Sequence, residues 1–203
     1  MQKPRLSGEE RRQSIIDAAC KLFSDKGFRG VTTRELAVAV GVTEPVLYEH
    51  FRTKRDLYSA IIETQANEGI RIVSAINDRF RQAPDDRAFF LSLGIAIVDW
   101  YVNDKAFIRL LLFSSLENHE LKDLFHERSS ECFAIVAAYI EQRIAQGGFR
   151  GVRSDLAARA FFGMIAHYAL TALVFGYAPL SVDPREAVEG MVDLFLNGLC
   201  LEN

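Results

Sequence analysis

The spacing of apolar residues constrains this chain of 203 residues more than any other feature. Almost every segment places apolar side chains at helical intervals, and no stretch keeps up the two-residue alternation of a half-buried strand. The pattern predicts an all-α fold of about nine helices. After three helices in the first 50 residues, the others are expected at about 54–82, 85–102, 104–114, 118–146, 154–177 and 184–201.

Charge is distributed unevenly along the chain. Residues 1–55 hold 11 Lys and Arg against 7 Asp and Glu, whereas the remainder holds 13 against 20. This predicts a basic N-terminal module, residues 1–55, which faces an anionic partner. The remainder of the chain, residues 56–203, is the acidic body. The first residues lack the apolar core of a secretory signal, and the longest apolar run, 160–175, is interrupted by polar residues. We therefore expect no membrane segment and a cytoplasmic protein.

The first 50 residues contain start and stop signals for three helices, of which the second and third are short. Gly27 and Gly41 are suitable ends for the first and second helices, and Thr32 or Thr33 can cap the second. Thr43 is expected to cap the third, which runs to about His50. Two short helices separated by a tight glycine turn, after a first helix, are the arrangement of a helix-turn-helix module.

This region resembles the DNA-binding domain of TetR/AcrR-type transcriptional regulators. The similarity rests on the string G-F-R-G-V-T-T-R-E-L-A-V-A-V-G-V-T-E-P-V-L-Y-E-H-F-R-T-K-R-D-L and covers about 30% of the chain. In it, Gly27-Phe28 closes the first helix, Thr33 caps the second and Lys54 opens the fourth. The resemblance implies a DNA-binding domain at 1–53 and an effector-binding and dimerisation domain at 54–203, linked by the long fourth helix.

The resemblance also implies which side chains meet DNA. Four of them hold phosphates: Thr33, Tyr48, His50 and Lys54. The end of the recognition helix nearest the bases is formed by Thr43, Glu44, Pro45 and Val46. Hydroxyls, an imidazole N–H and free amides at a helix start are donors to phosphate oxygens, which agrees with this division.

Other residues of the module allow more than one interpretation. Arg34, with neighbouring arginines, adds long-range attraction to DNA. Tyr48 and Phe51 could instead be core aromatics, because apolar residues at helical spacing usually pack. Glu44 is either a solvated charge or a group that accepts from cytosine N4 and disfavours misplaced phosphate.

The acidic body is rich in aromatic residues, most of which must form a core. Polar or adaptable side chains within its apolar segments are the candidates for orienting a partly apolar small-molecule effector. These effector candidates are Asp99, Trp100, Arg109, Met164, His167 and Tyr168. The alternative for His167 is a core histidine that is satisfied within the protein.

The last two helices carry apolar stripes with small residues, which allow helices to approach closely. The expected homodimer interface consists of Gly163, Leu170, Val174, Met191, Leu194 and Phe195. A two-fold dimer would place two recognition helices about 34 Å apart, or slightly more, and so predicts a palindromic operator.

The sequence patterns for a metal site, a redox site or a catalytic site are weaker than the pattern for DNA binding. His119, Asp123 and His126 share a helix face but lack a fourth ligand, so no metal site and no cofactor are expected. The three cysteines, Cys20, Cys132 and Cys200, are expected to be reduced. No catalytic triad or phosphate-binding glycine loop is present, so an enzyme is not expected.

The sequence therefore predicts a homodimeric regulator that binds double-stranded operator DNA. By analogy with the family, it acts as a repressor that a small ligand releases. The sequence also allows two alternatives: a metal- or redox-responsive regulator with the same DNA-binding fold, and a helical interaction protein without DNA binding.

Overall fold

The computed structural model describes residues 7–116, 121–177 and 182–199, and it confirms the all-α fold. The helices of the described residues follow the predicted order closely. They are α1 Gly8–Lys26, α2 Thr33–Val40, α3 Glu44–His50, α4 Lys54–Phe80, α5 Asp86–Asn103, α6 Lys105–Leu116, α7 Leu121–Ala145, α8 Ser154–Tyr168, a π-helix Ala169–Val174 and α9 Pro184–Leu199.

The chain forms two compact units. The first unit comprises Met1–Ala66 with Ala106–His126, and the second comprises Asn67–Lys105 with Glu127–Asn203. The first unit therefore contains the three short N-terminal helices, the start of α4, and α6. The division at 53/54 between DNA-binding and effector-binding functions stays a prediction.

Local capping explains where the N-terminal helices begin and end. Ser7 accepts from the backbone N–H of Glu10, and the Glu10 carboxylate accepts from the Ser7 N–H, which forms a capping box at α1. α1 ends at Gly27, as predicted. Gly41 ends α2 at φ +75°, a left-handed conformation that a residue with a Cβ rarely adopts. The glycine therefore makes the tight turn into α3.

The core of the second unit is built from aromatic side chains. Phe89 stacks on Tyr139 with ring centroids 3.7 Å apart, and Phe90 contacts Phe161 edge to face at 4.9 Å. Helices α5 and α9 approach closely at Gly94, where an added Cβ would lie 2.5 Å from the buried Val188 side chain. Most of the body aromatics are therefore packing residues, as predicted.

The segment predicted as one α-helix over 154–177 is divided. After Tyr168 the chain continues as the π-helix, in which the N–H of Phe175 donates to the Leu170 carbonyl at 2.9 Å. By length and apolarity alone, Ser154–Val174 could cross a membrane. However, residues along it, including Phe161 and Ile165, belong to the packed core of the second unit. This segment therefore packs as a core helix of the second unit.

A half-buried ion pair joins the start of α5 to the end of α7. The Asp86 carboxylate accepts from Arg143 Nε at 2.8 Å and from the Tyr139 hydroxyl at 2.7 Å. The two charged side chains are only about a fifth exposed. Burial raises the pKa of Tyr139, and the Asp86 carboxylate that accepts its proton raises it further. The tyrosine therefore stays a hydrogen-bond donor throughout the physiological pH range.

We expect Arg143→Met to lower the free energy of unfolding by about 2–3 kcal/mol, because it leaves a half-buried carboxylate without its cation. The matched control is Arg87→Met, which removes the same type of contact to Asp193 where both side chains are about half exposed. Because exposed ion pairs contribute little, the control should leave the unfolding curve nearly unchanged. Urea unfolding of both variants checks this, and equal losses would contradict it.

Candidate nucleic-acid interface

The cap of α2 lies one residue earlier than the resemblance implies. Thr32 is the N-cap, and its side chain accepts from the Glu35 N–H while the Glu35 carboxylate accepts from the Thr32 N–H. The capping role implied for Thr33 is therefore wrong, and of the two threonines that the local pattern allowed, Thr32 is the cap. The Lys26 ammonium 2.6 Å away, followed by the Thr32 donors, lowers the pKa of Glu35 to about 2.

Helix α3 presents a polar face and packs through one apolar residue. Leu47 is buried, whereas Tyr48 is 45% exposed and Glu49 is exposed. Tyr48 is thus a surface residue rather than the core aromatic of the alternative interpretation. His50, the last residue of α3, is half-buried. The face predicted to meet DNA is therefore open to a ligand.

The start of α3 holds the four residues that were predicted to lie nearest the bases. Thr43 occupies the N-cap position, although its side chain makes no capping hydrogen bond. Thr43 and Pro45 are exposed, and Glu44 and Val46 are half-buried. Glu44 is not a free solvated charge, because the Thr33 hydroxyl donates to its Oε2 atom at 3.1 Å.

Lys54 makes contacts that the sequence did not indicate. Its ammonium donates to the carbonyls of Phe28 and Val31, both at 2.8 Å, and lies 4.3 Å from the centre of the Phe28 ring. These carbonyls belong to the connection between α1 and α2, so Lys54 fixes the entry to α2. Its implied phosphate contact stays a prediction, but the residue has a structural role besides.

An aromatic cluster supports the same connection. The Phe28 and Tyr58 rings meet edge to face at 5.1 Å, and Phe23 packs against both. The buried Tyr58 hydroxyl donates to the Leu110 carbonyl of α6 at 3.3 Å. Sequence reasoning missed Tyr58, because its partner lies 52 residues away and no local pattern indicates it.

The N-terminal helices and their connections carry exposed arginines. Arg34 on α2 is exposed, as are Arg29, Arg52 and Arg55. Such side chains attract a polyanion over a distance set by the ionic strength. Their exposure agrees with the long-range role predicted for them.

The predicted effector residues differ in exposure and belong to both units. Asp99 and His167 are exposed, Trp100 and Met164 are half-buried, and Tyr168 is buried. The remaining one, Arg109, belongs to the first unit and forms an ion pair with Asp25 of α1 at 3.5 Å. Their role as effector contacts stays a prediction, and Arg109 has an alternative role in holding α6 to α1.

The predicted dimer residues fall into two groups. Gly163 and Leu194 point outward, and Leu194 is 72% exposed. Met191 and Phe195 are half-buried and pack against the core of the second unit. Leu170 and Val174, in the π-helix, are also half-buried. α9 therefore has an inner apolar face and an outer one that contains Leu194.

No group of three metal-ligating side chains occurs within the described residues. His119 lies outside them, while Asp123 and His126 are exposed on α7. Cys200 also lies outside the described residues, Cys20 is buried and Cys132 is half-buried.

We expect Cys132 to react slowly with thiol reagents at neutral pH. Burial, followed by the adjacent Glu131 carboxylate, raises its pKa to about 11, so the nucleophilic thiolate is scarce. Its alkylation rate should rise about tenfold per pH unit from pH 7 to pH 10. Mass spectrometry that resolves each cysteine measures this. A rate that levels off below pH 9 would contradict the raised pKa and would favour a redox-responsive regulator.

Comparison with known proteins indicates the family of the chain. Residues 15–61 match the family model described as bacterial regulatory proteins of the tetR family. Residues 101–198 match the model of the C-terminal domain of an AefR-like transcriptional repressor. The two matches together span most of the chain.

Three similar proteins illustrate the range of the resemblance. The transcriptional activator FasR of Mycolicibacterium smegmatis is 32% identical over 107 residues, which are 53% of this chain and 48% of FasR. The class C tetracycline repressor of Escherichia coli is 46% identical over 52 residues, or 26% of this chain and 24% of the repressor. A crystal structure of AibR with isovaleryl coenzyme A and operator DNA has a TM-score of 0.70 at 21% identity, covering 91% of this chain and 97% of AibR.

The matches cover different shares of the relatives' own lengths. The aligned part of the chain spans about half of FasR and about a quarter of the tetracycline repressor. The likeness to AibR concerns the fold alone, because the identity is low. The chain has the helix-turn-helix of α1 to α3 and matches two family models, and it therefore belongs to the TetR family of bacterial regulatory proteins.

Proposed function

We propose that this protein is a transcriptional repressor that binds a palindromic operator as a homodimer and is released by a small molecule. The observation that carries the proposal is the open face of α3. There the exposed Tyr48 lies on a short helix that Leu47 anchors, and α2 beside it presents Arg34. Hydroxyl and guanidinium donors are suited to phosphate oxygens. Such a regulator acts where the DNA is, in the cytoplasm.

The homodimer is supported by the outer faces of α8 and α9. On α9, Gly190 and Gly198 lie one turn on either side of the exposed Leu194, and a Cβ added at either glycine would meet nothing within 4 Å. On α8, Gly163 is equally open and Leu156 is 60% exposed. Small residues beside exposed leucines allow two helix pairs to pack closely across a two-fold axis.

Release by an effector requires that the ligand bind one arrangement of the body more tightly than the DNA-competent one. The body is rich in aromatic residues, which favours a ligand with an apolar part. AibR, which has the same fold, binds isovaleryl coenzyme A in its crystal structure. Acyl thioesters are therefore the first ligand class to test for this chain.

The proposal is tested by titrating fluorescent duplexes from the protein's own promoter region at several salt concentrations. We expect the logarithm of the affinity to fall linearly with the logarithm of the salt concentration, with a slope of about −0.9 per neutralised phosphate. A shuffled duplex is the control. Equal affinity for both duplexes, or none for either, would contradict operator binding and would favour a helical interaction protein.

The direction of regulation needs a separate measurement, because FasR is named an activator and the tetracycline repressor a repressor. A promoter–reporter fusion in cells with and without the protein decides it. We expect higher reporter output without the protein, and lower output would make it an activator. Acyl thioesters added to the purified complex should then release the DNA. If instead chelators or oxidants release it, the metal- or redox-responsive alternative is correct.

A further inference from the structure

The contact between Thr33 and Glu44 links the two helices of the helix-turn-helix. Thr33 is the first residue of α2 and Glu44 is the first residue of α3, and the Thr33 hydroxyl donates to Glu44 Oε2 at 3.1 Å. Both side chains are half-buried. A threonine hydroxyl has a single hydrogen to donate. A hydroxyl that donates to Glu44 is therefore unable to donate to a phosphate at the same time.

The hydrogen bond restricts the Glu44 side chain at the edge of the face that is proposed to meet DNA. A glutamate on a surface normally samples several rotamers, and holding it in one costs conformational entropy at the moment of binding. Because the Thr33 hydroxyl already holds the carboxylate, part of that cost is met in the free protein. A carboxylate has about four acceptor positions, so one donor leaves it able to accept others.

The chemistry of the carboxylate selects the base that it can recognise. An ionised carboxylate only accepts hydrogen bonds, and in the major groove only exocyclic amino groups donate. Guanine and thymine present acceptors there, which repel the carboxylate. Adenine presents its N6 donor beside the N7 acceptor, whereas cytosine presents its N4 donor without an adjoining acceptor on the same base. Cytosine is therefore the best match.

Resting on the proposed operator binding, we propose that Glu44 reads a cytosine in each half-site and that Thr33 positions it. Glu44 is then a specificity-determining residue. The family resemblance implies that Thr33 holds a phosphate. In this proposal Thr33 acts instead through Glu44. The pair forms a preorganised reader built from the first residues of two successive helices.

The test measures base preference rather than affinity alone. Half-sites selected from a randomised duplex library by the wild-type protein should contain one invariant C·G pair. Replacing that cytosine should weaken binding at least about tenfold. In Glu44→Gln the preference at the same pair should change to adenine, because a glutamine amide can donate to N7 while it accepts from N6.

The Thr33 variants separate positioning from phosphate binding. Thr33→Val keeps the shape but removes the hydroxyl, and should weaken binding to the cytosine-containing half-site several-fold more than it weakens binding to random DNA. Thr33→Ser, which keeps a hydroxyl, should restore the preference. Circular dichroism confirms that each variant is folded.

Three results would overturn the inference. The first is a Thr33→Val variant that binds all sequences equally more weakly, as expected for a lost phosphate contact. The second is a Glu44→Gln variant with an unchanged base preference, and the third is a Thr33→Ser variant that fails to restore it. A wild-type protein that binds no duplex at all would instead refute the proposed function, so the two failures are distinguishable.

Discussion

Replacing Leu194 with glutamate is expected to convert the proposed homodimer into monomers and to lower affinity for the proposed operator by at least about 100-fold. Leu194 is 72% exposed on α9, and Gly190 and Gly198, one turn to either side, leave open space beside it, so a second helix pair can pack closely on this face. In a two-fold interface each substitution occurs twice, so two carboxylates would be buried close together. Sedimentation velocity and fluorescence anisotropy with a palindromic duplex measure the two effects.

The control is Val102→Glu, which places the same charge on an exposed apolar residue of α5. It should leave both the mass in solution and the operator affinity unchanged. Because Leu194 and Val102 are exposed and contribute little to the core, circular dichroism should show that both variants remain folded. A Leu194→Glu protein that remains dimeric and keeps its operator affinity would place the interface on another surface.

The limits of most helices were predictable because their signals are local. Gly27 and Gly41 end helices through their own backbone conformations, and Ser7 and Thr32 begin helices through hydrogen bonds to residues three positions on. Such contacts depend on side chains that lie next to one another in sequence. The order and type of the helices therefore followed from the sequence.

The π-helix at Ala169–Val174 has no comparable signal. Its residues are ordinary for an α-helix, and the sequence pattern gave one continuous helix there. A π-helix is distinguished by hydrogen bonds five residues apart, such as that from Phe175 to Leu170, and these are selected by packing rather than by local preference. Here Ala169 is buried in the core of the second unit.

The candidate DNA site was predictable as a set of residues but not as a set of contacts. Tyr48 and Arg34 are exposed as their predicted roles require. The hydrogen bonds of Lys54 reach 23 and 26 residues back along the chain, and the pairing of Thr33 with Glu44 crosses the turn of the motif. Periodicity shows which face a residue occupies, but it does not show which distant atom a long side chain reaches.

Replacing Lys54 with methionine is expected to lower both the stability of the helix-turn-helix and its operator affinity, the latter by at least about tenfold. The substitution removes two charge-assisted hydrogen bonds of 2.8 Å to the Phe28 and Val31 carbonyls, and also the contact of the ammonium with the Phe28 ring. Since these bonds hold the connection that leads into α2, the residues of α2 and α3 would lose their fixed orientation. Circular dichroism melting and anisotropy titrations at several salt concentrations measure the two effects.

Arg52→Met provides the matched control, because it removes one positive charge from an exposed residue just two positions earlier. It should reduce the salt dependence of binding by at most about one phosphate per protomer and leave the melting temperature unchanged. If Lys54 only bound phosphate, Lys54→Met would behave like this control. A melting temperature that falls for Lys54→Met alone, together with weaker binding to every duplex, is the result expected from a lysine that holds the entry to α2 in place.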